Sequence, residues 1–378
     1  MTSELFAALY ARGDVAAELS DAAWVRAMLD VEAALARACA AEGLIPEGSA
    51  TEIEAVCATP QVDLTVLRDG VASSATPVIA LVRALRERVG EAARGHVHLG
   101  ATSQDILDTA LMLMSRRAFV PLLDDARACA DAAAALARTH RNTAMIGRTL
   151  LQQALPTTFG LRAAGWLVGL DGARRDLARA RDEDLAVQMG GPVGARAPGV
   201  ARRVAEDLGL AEPPLPWHAI RLSPAALACA LGGLCGVLAK IARDVTLLAQ
   251  QEVAECREGG PPGRGGSSAM AHKRNPVAAV SVLACAKRTP GLVATALACM
   301  EAEHERAAGA WQAEWGTHVE LLSLTGSATA WARDLLENLE VDPERMRANL
   351  ADAAVGETVP QGAGELIERA LEAHRSAR

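Results

Sequence analysis

Apolar residues recur at three- and four-residue spacing through most of the chain, the pattern of helices that each bury one stripe. The spacing predicts helices over about 21–43, 63–90, 104–138, 156–184, 223–256, 276–299, 303–338 and, shorter, 361–375. No strand-like alternation competes, so the chain reads as an all-α protein. Ser223-Pro224, Asn275-Pro276 and Asp342-Pro343 each place a capping side chain before a proline, a start signal for a helix. The 223–256 helix would be about 50 Å long. Its first half is apolar on every face, so neighbours must surround it. Gly232 and Gly236, one turn apart, would let another helix approach closely. Leu222 to Ala239 carries no charge over 18 residues, the lower edge of a membrane span. It is rich in Ala and Gly, and Lys240, Arg243 and Asp244 follow at once, which favours a buried helix over a membrane segment.

Composition narrows the class. With 378 residues, 51% hydrophobic and 22% charged, the chain can bury a large core. A net charge of -8 argues against nucleic acid as a partner, because phosphate neutralisation needs a basic surface. Aromatics make up only 3%, as suits a core of Ala and Leu. The eight cysteines are scattered without a CxxC pair or a zinc spacing and read as reduced thiols of a cytoplasmic protein. No basic stretch followed by an apolar run opens the chain at Met1 to Leu5, so no secretory signal is expected there.

One breaker cluster stands out, Gly259-Gly260-Pro261-Pro262-Gly263-Arg264-Gly265-Gly266, between two strong helical patterns. So many glycines cannot pack a core, and they suit a lid. Ser267 and Ser268 follow, then His272, Lys273, Arg274 and Asn275 ahead of a helix start at Pro276. Free N–H groups at that helix end, with Lys273 and Arg274 beside it, suit an anion. The plainer reading is a solvated linker ending in an Asn cap. Thr102 and Asp105 before an apolar run likewise read as a capping box. Trp311 and Trp315, four apart, read equally as a buried stripe or a pocket wall. His140, His304 and His318 fall on predicted helices and read as structural, and His374 as a solvated tail residue.

The run Gly266-Ser267-Ser268-Ala269-Met270-Ala271-His272-Lys273-Arg274-Asn275-Pro276 resembles the signature of the fumarase/aspartase superfamily, with Ala271 where proline is usual. His98-Leu99-Gly100-Ala101-Thr102-Ser103-Gln104-Asp105 is similar to its substrate-carboxylate block. Gly147-Arg148-Thr149-Leu150-Leu151-Gln152 is similar to a third block that usually carries histidine where Leu150 stands. The resemblance runs from about residue 5 to 350. It implies a long-helix bundle with an N-terminal helical domain (1–100), a central bundle (101–340) and a shortened C-terminal segment (341–378).

It also implies reversible addition or elimination beside a carboxylate, through a carbanion delocalised onto that carboxylate. Ser267 would carry the proton, with Ser268 the less favoured choice and His98 orienting the site. Thr102, Ser103, Lys273, Asn275 and Arg306 would hold carboxylates of a small polycarboxylate substrate, and Gln152 and Arg148 would line the pocket, unless Arg148 is structural. No cofactor and no metal are expected, and a homotetramer with shared active sites is implied.

Leu150 bears on the reaction. An amine or hydroxyl leaving group must be protonated as it departs, which leucine cannot do, whereas a carboxylate leaves as a stable anion. The cycloisomerase branch of the superfamily, which closes a carboxylate onto a double bond, fits this feature. The segments Glu303 to Arg306, Trp311 to Trp315 and Pro216-Trp217-His218 also resemble that branch. An elimination lyase releasing a group of the nitrite kind, or a non-catalytic scaffold derived from the family, are the alternatives. Ala271, Ala195 in place of a usual threonine, and Ile220-Arg221-Leu222 in place of Gln-Arg-Asp depart from the family pattern.

Overall fold

The computed structural model describes residues 4–376 except 60, 197, 357 and 360; the first three residues of the N-terminal stretch lie outside that set. The N-terminal part holds α1 (Glu4–Tyr10), α2 (Asp21–Ala41), α3 (Glu47–Ala58), α4 (Leu64–Ser74), α5 (Val78–Arg88) and α6 (Glu91–Arg94). Then come α7 (Ser103–Thr139), a hairpin of β1 (Ala144–Thr149) and β2 (Gln152–Thr158), α8 (Phe159–Arg179), α9 (Pro198–Leu208) and α10 (Leu222–Leu248). The chain closes with β3 (Cys256–Glu258), α11 (Val277–Ala298), α12 (Ala310–Glu337), β4 (Leu339–Val341), α13 (Pro343–Asp352) and α14 (Ala363–Ser376). The fold is all-α, of the long-helix bundle type.

Long helices α7, α8, α10, α11 and α12 pack side by side and share one core with α2. The first half of α10 is enclosed as its apolar faces require: Leu227, Leu231, Leu234 and Leu238 have no exposed surface. Gly232 lies against α11, where an added Cβ would meet Val293 at 2.8 Å, while Gly236 faces open space. Both α10 and α11 are long and apolar enough to cross a membrane by length and composition, and here they belong to the bundle. Asp244 on α10 is buried and accepts from Trp166 Nε1 at 2.8 Å.

Several boundaries differ from the expected ones for identifiable reasons. The 63–90 segment is two helices, because Ala75 takes a left-handed conformation (φ 51°) and Pro77 ends the turn. Helix α10 stops at Leu248 rather than continuing to 256, since Ala254 turns left-handed (φ 50°) and the chain enters β3. Two short antiparallel ladders, β1–β2 and β3–β4, were not foreseen. Too few residues alternate in them to show against a helical background. Helices α1, α3, α6 and α9 were also missed, being short, and of α13 only the start signal at Asp342-Pro343 was read. The Asp342 cap holds, accepting from Arg345 N at 2.9 Å. Ser223 does not cap, as α10 starts one residue earlier after Arg221.

His374 is not a solvated tail residue. It is 1% exposed, with Nδ1 2.9 Å from Asp171 and Nε2 2.9 Å from Asp131, and it pins α14 onto α8 and α7. Once α14 folds back along the bundle, its last turn is interior. His304 lies in an exposed turn with φ 49° rather than on a helix.

Candidate active site

At the start of α7, Asp105 is completely buried and acts as a hub. Its carboxylate accepts from the N–H groups of Thr102 (3.0 Å), Gly190 (2.9 Å) and Gly191 (2.8 Å), and lies 2.7 Å from His218 Nε2. The expected capping box of Thr102 and Asp105 is present, and the same carboxylate ties the glycine-rich turn to the Thr102–Ser103 corner. Gly191 has to be glycine: its φ is +73°, and a Cβ would meet Gly100 O at 2.8 Å. Arg306 comes in from the segment before α12, donating to Gln104 Oε1 (3.2 Å) and Pro192 O (3.2 Å). Thr102, Ser103 and Arg306 are thus assembled in one place.

Beneath this corner lies a buried ion network. Arg221 donates to Asp108 at 2.6 Å and also pairs with Glu314, while Trp311 Nε1 donates to Asp108 at 2.9 Å. Trp311 is therefore buried and its ring packs edge-on against Trp315, with centroids 4.9 Å apart. His318 on the same helix has no exposed surface and, among the described residues, no hydrogen-bond partner for either nitrogen. Burial, aided by the Arg221 charge, pushes its imidazole down to about 4.

His98 adopts a left-handed backbone (φ 62°) and its Nδ1 sits 2.6 Å from Glu32 Oε1. Burial would lower the imidazole, but the Glu32 carboxylate outweighs it and holds His98 above its ordinary value. Glu32 was not singled out from sequence. The available signal was a carboxylate inside the otherwise apolar run Val31 to Ala36 of a helix.

The other two blocks lie elsewhere. Arg148 forms a bidentate pair with buried Glu255 at 2.9 and 2.8 Å, and Asn349 holds the same carboxylate at 2.9 Å. Its charge is matched there, so Arg148 anchors the hairpin rather than standing free for a substrate. Leu150 and Leu151 form the two-residue turn, both left-handed (φ 50° and 65°) and 96% and 76% exposed. Such a turn usually takes Asn-Gly, and two leucines there cost about 1–2 kcal/mol each. Gln152 is exposed beside them.

The Gly-Ser-Ser loop is clasped at its base: Asn275 N and Nδ2 both donate to Gly265 O, at 2.8 and 3.0 Å. Gly265 (φ 72°) admits this approach, since a Cβ would meet Asn275 O at 2.3 Å. Asn275 therefore closes the loop instead of capping α11. The expected anion site at the α11 N-terminus is filled by the protein itself, because Glu258 accepts from Ala278 N (3.0 Å) and Ala279 N (2.7 Å). Ser267 Oγ accepts from Met270 N at 3.2 Å and Ala269 N at 3.4 Å. Ser268, His272 and Lys273 are exposed, and their side chains make no hydrogen bond among the described residues. His272 and Asn275 line a cavity of about 1210 Å³ under the loop.

Helix α7 is about 55 Å long, with Thr102 and Ser103 at its start and the hairpin beyond its end. Helix α10 spans about 40 Å between Arg221 and the segment carrying Glu255. Within one chain, Thr102, Ser103 and Arg306 lie at one end of the bundle, and Arg148, Gln152 and the Ser267–Ser268 loop at the other. No small molecule bridges that distance. The cysteines are free, and burial pushes the Cys57 and Cys256 thiols up to about 12, which leaves them poor nucleophiles. Among the described residues no cluster of His, Cys, Asp and Glu is placed to hold a metal ion.

A long-helix bundle that presents a threonine–serine corner, a strained hairpin and a clasped Gly-Ser-Ser loop is the architecture of a lyase of the fumarase/aspartase superfamily. A family model described as lyase matches residues 2–291, and the chain belongs to that family. It is similar to the 3-carboxy-cis,cis-muconate cycloisomerase of Bradyrhizobium diazoefficiens, 46% identical over 94% of this chain and 80% of the relative. It is also similar to the nitrosuccinate lyase of Streptomyces davaonensis, 44% identical over 95% of this chain and 79% of the relative. The crystal structure of the 3-carboxy-cis,cis-muconate lactonizing enzyme from Pseudomonas putida superposes with a TM-score of 0.92 at 34% identity, covering 99% of this chain and 100% of that one.

Proposed function

We propose that the enzyme converts 3-carboxy-cis,cis-muconate to 4-carboxymuconolactone, a step in the protocatechuate branch of aromatic catabolism, in the cytoplasm. The observation that carries this reading is the likeness to 3-carboxy-cis,cis-muconate cycloisomerases; Leu150 agrees with it, since the hairpin tip offers no acid and a carboxylate nucleophile needs none, as a nitrite leaving group equally would not. A carboxylate oxygen of the substrate attacks the double bond, and the displaced electron pair delocalises onto the neighbouring carboxylate. A serine hydroxyl delivers a proton to that carbon, and the serine regains it from solvent, so one proton is taken up per lactone.

Ser267 carries the proton in this reading. Its Oγ accepts from Met270 N and Ala269 N, which leaves its own O–H proton free to be delivered and stabilises the alkoxide left behind, whereas the exposed Ser268 hydroxyl has no such donors among the described residues. Thr102, Ser103, Arg306 and Lys273 hold carboxylates, Gln152 lines the pocket, and Asn275 fixes the loop.

The distance between the blocks supports a homotetramer in which one copy's Ser loop and hairpin complete the Thr102–Ser103 corner of another. Mixing two inactive variants, Ser103→Ala and Ser267→Ala, would then restore part of the activity, because some hybrid sites carry neither lesion. Failure to complement in a mixed oligomer would remove shared sites. For the reaction itself, incubation with 3-carboxymuconate should bleach its ultraviolet absorbance and yield lactone. Unchanged absorbance together with nitrite release from nitrosuccinate would favour the second reading, which the nitrosuccinate lyase relative motivates.

A further inference from the structure

Next to the Thr102–Ser103 corner lies a cavity of about 650 Å³, lined by Arg83, Arg86 and Arg94 together with His98 and Ser103. Glu87 is the one carboxylate on its wall, and Val78 and Val82 form an apolar part of it. Two of the arginines are steered by main-chain carbonyls: Arg86 donates to Val97 O at 3.2 Å, and Arg94 to Arg86 O at 3.3 Å. Arg83 makes no hydrogen bond or ion pair with any described residue, and among the described residues none of the three exposed guanidiniums is in a salt bridge, although arginines elsewhere in this chain are repeatedly paired with carboxylates. His98 presents only Nε2 to the cavity side, since Nδ1 is held by Glu32.

The three guanidinium groups outnumber the single Glu87 carboxylate on this wall, so the concavity is net positive and attracts an anion. Guanidinium groups suit a carboxylate because their planar fork matches its two oxygens. The apolar wall suits a short carbon chain.

We propose that this cavity is a carboxylate subsite, in which Arg83, Arg86 and Arg94 receive the substrate carboxylate farthest from the Ser loop. This inference rests on the lactonising reading for the identity of the substrate, but not for the presence of the subsite. It gives the enzyme a means of preferring tricarboxylates over dicarboxylates, since a shorter acid held at Thr102 and Ser103 leaves the arginines unengaged.

The test is titration calorimetry of the whole enzyme with tricarballylate, a saturated tricarboxylate that cannot react, and with succinate. Arg83→Gln and the Arg83→Gln, Arg86→Gln double variant should bind tricarballylate at least about tenfold more weakly and bind succinate as the unaltered enzyme does, with unchanged far-ultraviolet dichroism. Arg83→Lys should recover part of the loss. Equal tricarballylate affinity in the folded variants, or no preference for tricarballylate over succinate in the unaltered enzyme, would overturn the subsite. Arginine-dependent binding of tricarballylate by an enzyme that leaves 3-carboxymuconate untouched would keep the subsite and remove the lactonising reading.

Discussion

His218 Nε2 lies 2.7 Å from Asp105 Oδ1, inside a corner where the same carboxylate also receives three main-chain N–H groups. Asp105→Asn keeps the volume but turns an acceptor-only group into one that directs its own N–H at other donors. It should destabilise the protein by at least about 2 kcal/mol in denaturant unfolding. Because Thr102 and Ser103 hang on this carboxylate, KM should rise about tenfold. A variant with unaltered stability and KM would show that the corner is held by the backbone alone.

The two serines of the loop should differ in effect. Ser267→Ala should lower kcat by at least about a thousandfold, and Ser268→Ala by about tenfold or less. Single-turnover rates of the two folded variants decide the matter, and the reverse order would move the proton to Ser268.

Arg221 should be the costliest single truncation in the bundle. Its removal leaves Asp108 and Glu314 buried and facing each other without a counter-charge. Arg221→Ala should lose about 3–5 kcal/mol in urea unfolding.

His318 should make the protein acid-sensitive. Its pKa is lowered in the fold to about 4 from the unfolded value of 6.5, so its neutral form is the one the core accommodates. The stability it permits is complete above pH 6.5 and falls as pH drops toward 4. His318→Leu should flatten the stability curve over that window, and an unchanged curve would assign acid sensitivity to other groups.

His98 should behave in the opposite sense. Its folded pKa is raised, so the Glu32 pairing contributes fully below the unfolded value near 6.5 and is lost as pH rises through the folded one. The stability difference between the native protein and Glu32→Gln should therefore be larger at pH 6 than at pH 9, measured by thermal melting.

Helical periodicity was sufficient to read the chain as all-α, because apolar spacing along a helix face is a local signal; its placement among long-helix lyases came from the resemblance of the Gly266 to Pro276 loop and two further blocks to that superfamily. The end of α10, by contrast, depends on Ala254 turning left-handed to enter a ladder with β4, a pairing partner more than eighty residues away. In the sequence Asp105 read only as a capping-box carboxylate, and Glu255 as an ordinary one. Each becomes a hub only when packing removes its water and brings donors from distant segments, as Arg148 and Asn349 come to Glu255.

Tertiary structure also decided where the blocks stand. The helix expected over 104–138 is unbroken through Pro121 and keeps Ser103 about 55 Å from the hairpin, but sequence order could not say which other blocks would stand at each of its ends. Nor could it say that Glu258 fills the α11 N-terminus or that Asn275 closes its own loop. What the residues determined by themselves was the chemistry on offer, two serines without an assisting histidine. Which of those groups are free to use it is a matter of long-range contacts, because hydrogen-bond partners are chosen by the fold and not by neighbours in the chain.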